Sequence, residues 1–336
     1  MKIYNFNLEL YKVTGIQKVV VSIHNALKNQ FDCKIVGNIP YERVNKDLII
    51  EEKDYITNRF YVQFRNSIVI VHERRLLLIF WLLNNLLFWN TRVIYVHHSV
   101  LSGQKLITPF PNHIVAISDA GIKNLTEYFG VHVNHITKIH NCVIDSNHSL
   151  RISNRESSNF INLIYLARIN DGKRQPELVI RLRDKIDKRI RIIFAGDGPN
   201  YHELKNLCHG SEQFIALGYR SDTLDLINKS DYVLLFSKME GLPVSLIEAT
   251  MMGRPIICNN VGGNTEIALD GKNAFVAENW DDLIKVINNL PKVTIERYKD
   301  MCKFSRGIYE NQFNFEIFSR RYIELINSII TSNDNK

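Results

Sequence analysis

Short apolar, β-branched runs alternate with amphipathic stretches along most of this chain. The runs are Cys33–Val36, Ser67–Val71, Arg92–Val96, His113–Ile117, Asn162–Leu166, Ile190–Ala195, Tyr232–Phe236 and Pro255–Cys258, with a first strand before Thr14. Between them lie helix-like patterns such as Gln17–Lys28, Ala120–Phe129, Pro176–Lys188 and Tyr201–Cys208. A strand–helix–strand order favours a parallel sheet, because each crossover helix covers a sheet face and leaves the strands buried on both sides. The alternation occurs twice, on either side of the polar stretch 145–158, DSNHSLRISNRESS. Two doubly wound α/β domains are therefore expected, at 1–150 and 151–312, rather than one continuous sheet. A last amphipathic pattern, Phe313–Ile329, makes 313–336 a C-terminal helix packing back on the first domain. The 336 residues are 45% hydrophobic and 23% charged, which excludes a disordered chain and suffices for two cores.

Charge is uneven. Residues 1–150 hold 16 Lys/Arg against 11 Asp/Glu, a net +5, and the remainder holds 26 against 24, a net +2. A basic first half suits an anionic partner, although a plain solvated surface explains it equally well. The five cysteines are far apart and lack zinc spacing, as expected of reduced thiols in a cytoplasmic protein. The start, MKIYNFNLEL, lacks the apolar run and cleavage site of a secretory signal. The most apolar stretch, Leu76–Trp89, is too short to span a bilayer and is broken by Asn84-Asn85. Leu, Ile, Phe and Trp occur nearly all round it, next to Arg74-Arg75. Residues 74–89 are thus expected either as a core helix or as an anchor on an anionic membrane.

Segment Ser237–Pro255, SKMEGLPVSLIEATMMGRP, concentrates candidate chemistry. It follows the run DYVLLF; Pro243 suits a first helical turn, and Gly253 with Pro255 ends the helix. Glu240 falls in the loop entering that helix and Glu248 in its second turn. Ionised carboxylates only accept hydrogen bonds, so they suit the paired hydroxyls of ribose and sugars. The spacing alone leaves an ordinary reading open, with Glu240 opposing the helix dipole and Glu248 on the surface. Arg168 and Lys173 follow the run INLIYLA, where two cations can neutralise a diphosphate, though basic residues are common in such loops. Gly262-Gly263 follows PIICNNV and is either an anion-binding run of N–H groups or a plain turn. Gly196-Asp197-Gly198-Pro199 is most simply a tight turn.

Taken together, these segments resemble a known family. Glu240-x7-Glu248, enclosing Gly241-Leu242-Pro243, resembles the E-x7-E signature of retaining glycosyltransferases of the glycosyltransferase 4 family, of GT-B fold. Arg168 to Lys173 is similar to the family's G-R-x4-K loop, with Ala167 where Gly is usual. Gly196-x-Gly198-Pro199 matches its G-x-G-P turn, and Gly262-Gly263-Asn264-Thr265-Glu266 resembles its G-G-x-x-E segment. Val96-His97-His98 is similar to a strand end where His-Asp is frequent.

The resemblance implies GT-B architecture: two Rossmann-like domains facing across a cleft, the first for the acceptor and the second for a nucleotide sugar. It implies a catalytic set of His97, Glu240, Arg168 and Lys173. His97 would reach the donor sugar, Arg168 and Lys173 the leaving diphosphate, Glu240 the sugar hydroxyls and Glu248 the ribose. Gly15, Gly196, Gly241, Leu242, Pro243, Gly262 and Gly263 would complete the donor site, and His98 receives no catalytic role. The implied activity is retaining transfer of a hexose or N-acetylhexosamine from a nucleoside-diphosphate sugar, UDP-sugars favoured. The acceptor would be a saccharide or lipid-linked saccharide, in bacterial lipopolysaccharide, O-antigen or capsule synthesis. No D-x-D occurs, so no metal and no cofactor are expected. The expected location is the cytoplasm, with peripheral attachment to the inner face of the cytoplasmic membrane through 74–89. Two other readings share the fold, a non-catalytic partner subunit and a sugar-nucleotide epimerase. Nucleic acid, suggested only by charge, is not an expected partner.

Overall fold

The computed structural model describes residues 1–145 and 159–331; apart from Asp145, the linker expected at 145–158 lies outside the described residues. The chain divides into two compact units, one of residues 1–144 with 313–336 and one of residues 145–312.

The first unit is built on seven parallel strands: β1 (Ile3–Phe6), β2 (Cys33–Gly37), β3 (Tyr55–Thr57), β4 (Ile68–Val71), β5 (Arg92–His97), β6 (His113–Ala116) and β7 (Ile136–Lys138). Their order is β3-β2-β1-β4-β5-β6-β7. The second unit has β8 (Ile161–Leu166), β9 (Ile190–Ala195), β10 (Phe214–Gly218), β11 (Tyr232–Leu235), β12 (Ile256–Asn259) and β13 (Ala274–Ala277), in the order β10-β9-β8-β11-β12-β13. Each sheet grows from its first strand in one direction, then returns and grows in the other. That reversal leaves a crevice at the carboxyl ends of β1 and β4, and another at those of β8 and β11.

The strands at the centre of each sheet are apolar on both faces and fully buried, as in Ile68–Val71 and Tyr232–Leu235. The edge strands β3, β7, β10 and β13 are only half-buried; β3 (YIT) and β7 (ITK) are three residues long and interrupted by Thr or Lys, whereas β10 (FIALG) and β13 (AFVA) are short apolar runs. The sequence pattern does not mark these four: β3 and β7 lack an apolar run, and β10 and β13 are too short and too poor in β-branched residues to stand out. Helix boundaries also differ. The stretch expected at Pro176–Lys188 is helical over Gln175–Leu182 and stops where Arg183 turns extended and Asp184 takes a positive φ of 60°. The pattern at Ala120–Phe129 becomes a helix over Asp119–Lys123, capped by Ser118, that continues as a wider turn over Asn124–Tyr128.

In the first unit one sheet face packs Tyr4, Phe6, Val69, Val71 and Tyr95 against Leu76, Leu77 and Phe80 of helix Arg75–Leu87. Helix Gly15–Leu27 runs between β1 and β2, and helix Phe315–Thr331 lies against it, the Ser319 hydroxyl donating to the Ala26 carbonyl at 3.3 Å. The C-terminal helix buries Phe318, Tyr322, Leu325, Ile326 and Ile329. In the second unit Tyr232 meets Tyr298 edge-on, and Phe236 packs at a tilt against Trp280 with centroids 4.6 Å apart, the Arg174 guanidinium lying over the Trp280 ring.

Candidate active site

The second unit's crevice is lined by the loops that follow β8 and β11, and the densest charge pairing of the sequence motifs falls there. Lys173 Nζ donates to Glu240 Oε1 at 2.5 Å, linking the end of one loop to the other. The Glu240 side chain is 6% exposed and that of Lys173 24% exposed, so the pair is partly withdrawn from water. The backbone reinforces the link, as the Lys238 N–H donates to the Gly172 carbonyl at 2.8 Å.

The β8 loop is held from below and from the side. The buried Tyr165 hydroxyl donates to the Lys173 carbonyl at 2.5 Å, and the Lys173 N–H donates to the Asn170 side chain at 3.0 Å. Gln175 donates to the Arg168 carbonyl at 3.1 Å, while the Arg168 side chain itself is exposed. On its other flank the loop touches the β9 turn, where the Ile169 N–H donates to the Asp197 carbonyl at 3.0 Å. Gly196 makes that approach possible: at its φ of +153° a Cβ would stand 2.0 Å from the Ala167 carbonyl oxygen.

The β11 loop is backed in the same way by the loop after β12. Gly262 adopts φ +59°, and a Cβ there would lie 2.1 Å from the Glu240 carbonyl oxygen. The Gly263 N–H donates to the Gly241 carbonyl at 2.7 Å. Asn259 and Ser237 fix the two strand ends together, the Asn259 side chain donating to the Ser237 carbonyl at 2.7 Å and accepting from the Ser237 N–H at 3.2 Å. Leu242 and Pro243 lead into helix Val244–Met251, which carries Glu248, a buried carboxyl in its second turn. Arg168, Lys173, Gly196, Glu240, Gly241, Leu242, Pro243, Glu248, Gly262 and Gly263 thus all lie on loops or helix starts at the carboxyl ends of four strands, β9, β8, β11 and β12, that neighbour one another in the sheet. Tyr165 and Asn259, which shape those loops, carry no motif and were not singled out from the sequence.

The first unit treats its two motif residues differently. Gly15 is exposed at the start of helix Gly15–Leu27, next to Thr14, whose side chain meets Gln17 at 2.5 Å. His97 is 0% exposed. Its Nε2 donates to Asn124 Oδ1 at 3.0 Å, because Asn124 turns its amide N–H₂ to the Leu101 carbonyl. The Tyr95 hydroxyl lies 3.4 Å from the other ring nitrogen. Burial lowers the His97 pKa to about 4, so this neutral ring is a satisfied core residue. His97 thus turns into the interior of the first unit, where both ring nitrogens have neighbours. Alternation along a strand sends neighbouring side chains to opposite faces. It is His98 that emerges on the other face, where its ring stacks on that of His72.

The long apolar stretch is resolved as a two-sided helix. Leu76, Leu77 and Phe80 enter the core, whereas Leu78, Trp81, Leu82, Leu86, Leu87 and Phe88 are exposed. An open cavity of about 420 Å³ beside it is lined by Leu77, Phe80, Trp81, Pro109 and Phe110 among others. Among the described residues no helix is long and apolar enough to cross a membrane, and no group of three or more His, Cys, Asp or Glu is arranged to hold a metal ion.

Comparison with known proteins places this geometry. Residues 161–292, most of the second unit, match the family model described as glycosyl transferases group 1. Over 130 residues the chain is 31% identical to the UDP-Gal:alpha-D-GlcNAc-diphosphoundecaprenol alpha-1,3-galactosyltransferase of Escherichia coli, a stretch covering 36% of this chain and 33% of that protein. The chain thus spans about a third of the length of two such relatives, 33% of this one and 32% of EpsD of Bacillus subtilis. Among solved structures, HepE of Anabaena in complex with UDP superposes with a TM-score of 0.82 over 98% of this chain and 100% of that one, at 18% identity. The lipopolysaccharide outer core galactosyltransferase WaaB gives 0.76 over 98% of this chain and 99% of that one, at 16% identity. The fold is GT-B. Residues 161–292 carry the similarity to group 1 glycosyl transferases.

Proposed function

We infer that this chain is a retaining glycosyltransferase that moves a hexose or N-acetylhexosamine from a nucleoside-diphosphate sugar, a UDP-sugar in the first instance, to a saccharide or lipid-linked saccharide. The observation that carries the reading is the Lys173–Glu240 pair at the crevice of the unit that carries the similarity to group 1 glycosyl transferases. In the reaction the bond from the anomeric carbon to the diphosphate breaks, and negative charge grows on the leaving group. Lys173 and the exposed Arg168 supply preformed cations for that charge, in a site where water is partly excluded and such donors act most strongly. When the diphosphate takes Lys173, Glu240 is freed to accept hydroxyls of the sugar, and Glu248 accepts those of the ribose. The acceptor hydroxyl bonds to the anomeric carbon from the face the diphosphate leaves and passes its proton to the departing diphosphate oxygen, so configuration is retained. The cations are the protein's own, so transfer proceeds without a divalent metal. Binding of UDP by HepE and the lipid-linked saccharide named as acceptor of the E. coli relative support the donor and acceptor classes.

Peripheral attachment to an anionic membrane belongs to the same reading. The exposed Leu78, Trp81, Leu82, Leu86, Leu87 and Phe88 form an interfacial face. Between Tyr55 and Ser118 the chain carries Arg59, Arg65, Arg74, Arg75, Arg92 and Lys105 against one acid, Glu73. The test is product formation from UDP-glucose, UDP-galactose and UDP-N-acetylglucosamine with undecaprenyl-diphosphate-linked saccharides in anionic vesicles, with EDTA and with Mg²⁺. A product whose anomeric proton coupling matches the donor's, formed equally in EDTA, is expected. An inverted product or a strict metal requirement contradicts the mechanism, and isomerised donor without acceptor restores the epimerase.

A further inference from the structure

The first unit's crevice, at the carboxyl ends of β1 and β4, holds a hydrogen-bonded chain of which the sequence motifs marked only His98, and that without a role. Asn5 on β1 is fully buried and its side-chain N–H₂ donates to the Val20 carbonyl at 2.7 Å. His72, the residue after β4, places Nε2 2.7 Å from Asn5 Oδ1. His98, the residue after β5, places Nε2 2.8 Å from His72 Nδ1, and the two rings stack with centroids 5.1 Å apart. The chain thus runs sideways across the ends of three neighbouring strands, β1, β4 and β5.

Proton positions along it follow from its fixed end. A peptide carbonyl only accepts, so Asn5 must turn its N–H₂ to Val20 and its oxygen to His72. His72 must then carry its proton on Nε2. Burial holds His72 well below the usual imidazole range, so the ring is neutral and its Nδ1 is a lone pair. Only an N–H on His98 Nε2 satisfies that lone pair. Burial, helped by His97, lowers the His98 pKa to about 3, so this ring is neutral too. What remains is His98 Nδ1, a lone pair with no partner among the described residues, on a side chain that is only part-buried.

We propose that Asn5 and His72 are positioning residues that hold His98 in the Nε2–H tautomer, so that its Nδ1 is a fixed acceptor for a sugar hydroxyl. This rests on the glycosyltransferase reading for the ligand but not for the tautomer. A free imidazole near neutral pH samples both tautomers and the cation, whereas a ring locked in one form offers a hydroxyl an acceptor without reorganisation. The chemistry required is a hydroxyl donor, which either the acceptor saccharide or the donor sugar presents.

The experiment has two readouts. Nitrogen-15 spectra of histidine-labelled protein, assigned with His72→Gln and His98→Gln, report the tautomer of each ring between pH 6 and 8. Both rings are expected neutral and protonated on Nε2; His98 protonated on Nδ1, or charged, overturns the proposal. This readout uses the protein alone, so it decides the lock even if no nucleotide sugar is turned over. The second readout is steady-state transfer by His98→Leu, His98→Gln and His72→Phe. His98→Leu is expected to lose about tenfold in kcat/KM, the loss of one hydrogen bond to a polar ligand, and His98→Gln to recover part of it through its carbonyl. His72→Phe is expected to release the His98 tautomer and to lose a similar factor while keeping its nucleotide-induced thermal shift. A rise in acceptor KM assigns the hydroxyl to the acceptor, and a rise in nucleotide-sugar KM assigns it to the donor. Wild-type kinetics in His98→Leu overturn the proposal.

Discussion

The two crevices share one topology and differ in charge. In each unit the sheet reverses after its third strand, and polar side chains gather at the reversal. Around β8 and β11 they are ionic: a lysine on a glutamate, an exposed arginine beside them, and glycines that bring backbone close behind. Around β1 and β4 they are mostly neutral: Asn5, His72 and His98 in sequence, with the Asn7 amide on the Glu73 carboxyl at 2.6 Å. Topology chooses where a ligand can sit, and the side chains at that place choose its charge. The ionic crevice suits a diphosphate and the neutral one suits hydroxyls.

The contrast is broken most severely from the ionic side. Lys173→Ala removes the cation that the leaving diphosphate needs and strands Glu240, so turnover is expected to fall by about 10²–10³-fold. Circular dichroism should stay native, and turnover within twofold of wild type would contradict the assignment. A smaller effect is expected from Gly262→Ala. The new Cβ meets the Glu240 carbonyl and sits at a positive φ, which costs on the order of 1–2 kcal/mol before any clash is relieved. A lowered melting temperature together with impaired turnover is the expected pair of readings. Loss of stability with full turnover would show that Gly262 does not hold Glu240 in place.

Smaller again is the effect of charging the exposed apolar helix. Trp81→Glu with Leu86→Glu should leave transfer to a water-soluble acceptor intact and abolish sedimentation with anionic vesicles. Unchanged sedimentation would move the membrane contact elsewhere. The smallest effect sharpens the neutral crevice. Glu73 accepts from the Asn7 amide and the Leu8 N–H on one oxygen, while its Oε2 is buried without a partner among the described residues. Burial raises its pKa from 4.5 to about 7, with Glu9 adding to the rise and the Leu8 N–H and Arg75 opposing it. The folded state therefore keeps a proton that the unfolded chain releases. This contribution is present below about pH 4.5 and is lost as pH rises to about 7. Glu73→Gln should remove that slope, so its melting temperature gains on wild type between pH 5 and 8. Parallel curves would show that Glu73 ionises normally.

Much of this was legible in the sequence, and what was not has physical causes. Central strands announce themselves because burial on both faces demands a continuous apolar run; Tyr55–Thr57 and Ile136–Lys138, at sheet edges, escape that demand. The ionic crevice was readable because Glu240, Glu248, Lys173 and the glycines carry recognisable spacing. Of the neutral crevice only His98 was marked, within Val96-His97-His98, and it was given no role. Asn5, His72 and His98 come from three strands and are adjacent only through the register that pairs Asn5 with Ile70 and Ile70 with Ile94. His97 and His98 are neighbours in sequence, yet the pleat sends one into the core and the other to the crevice. A motif fixes a position along the chain to within a residue, and in a strand one residue changes the face.

The central claim, that the ionic crevice is a metal-independent nucleotide site, is tested most directly by thermal denaturation with UDP, GDP, ADP and CDP, each in EDTA and in Mg²⁺. A ligand at 100 times its Kd stabilises by about 2.7 kcal/mol, which is readily resolved. One nucleotide, UDP first, should raise the midpoint equally in EDTA and Mg²⁺, and Lys173→Ala should abolish the shift. A shift that requires Mg²⁺, or that survives Lys173→Ala unchanged, would contradict the account.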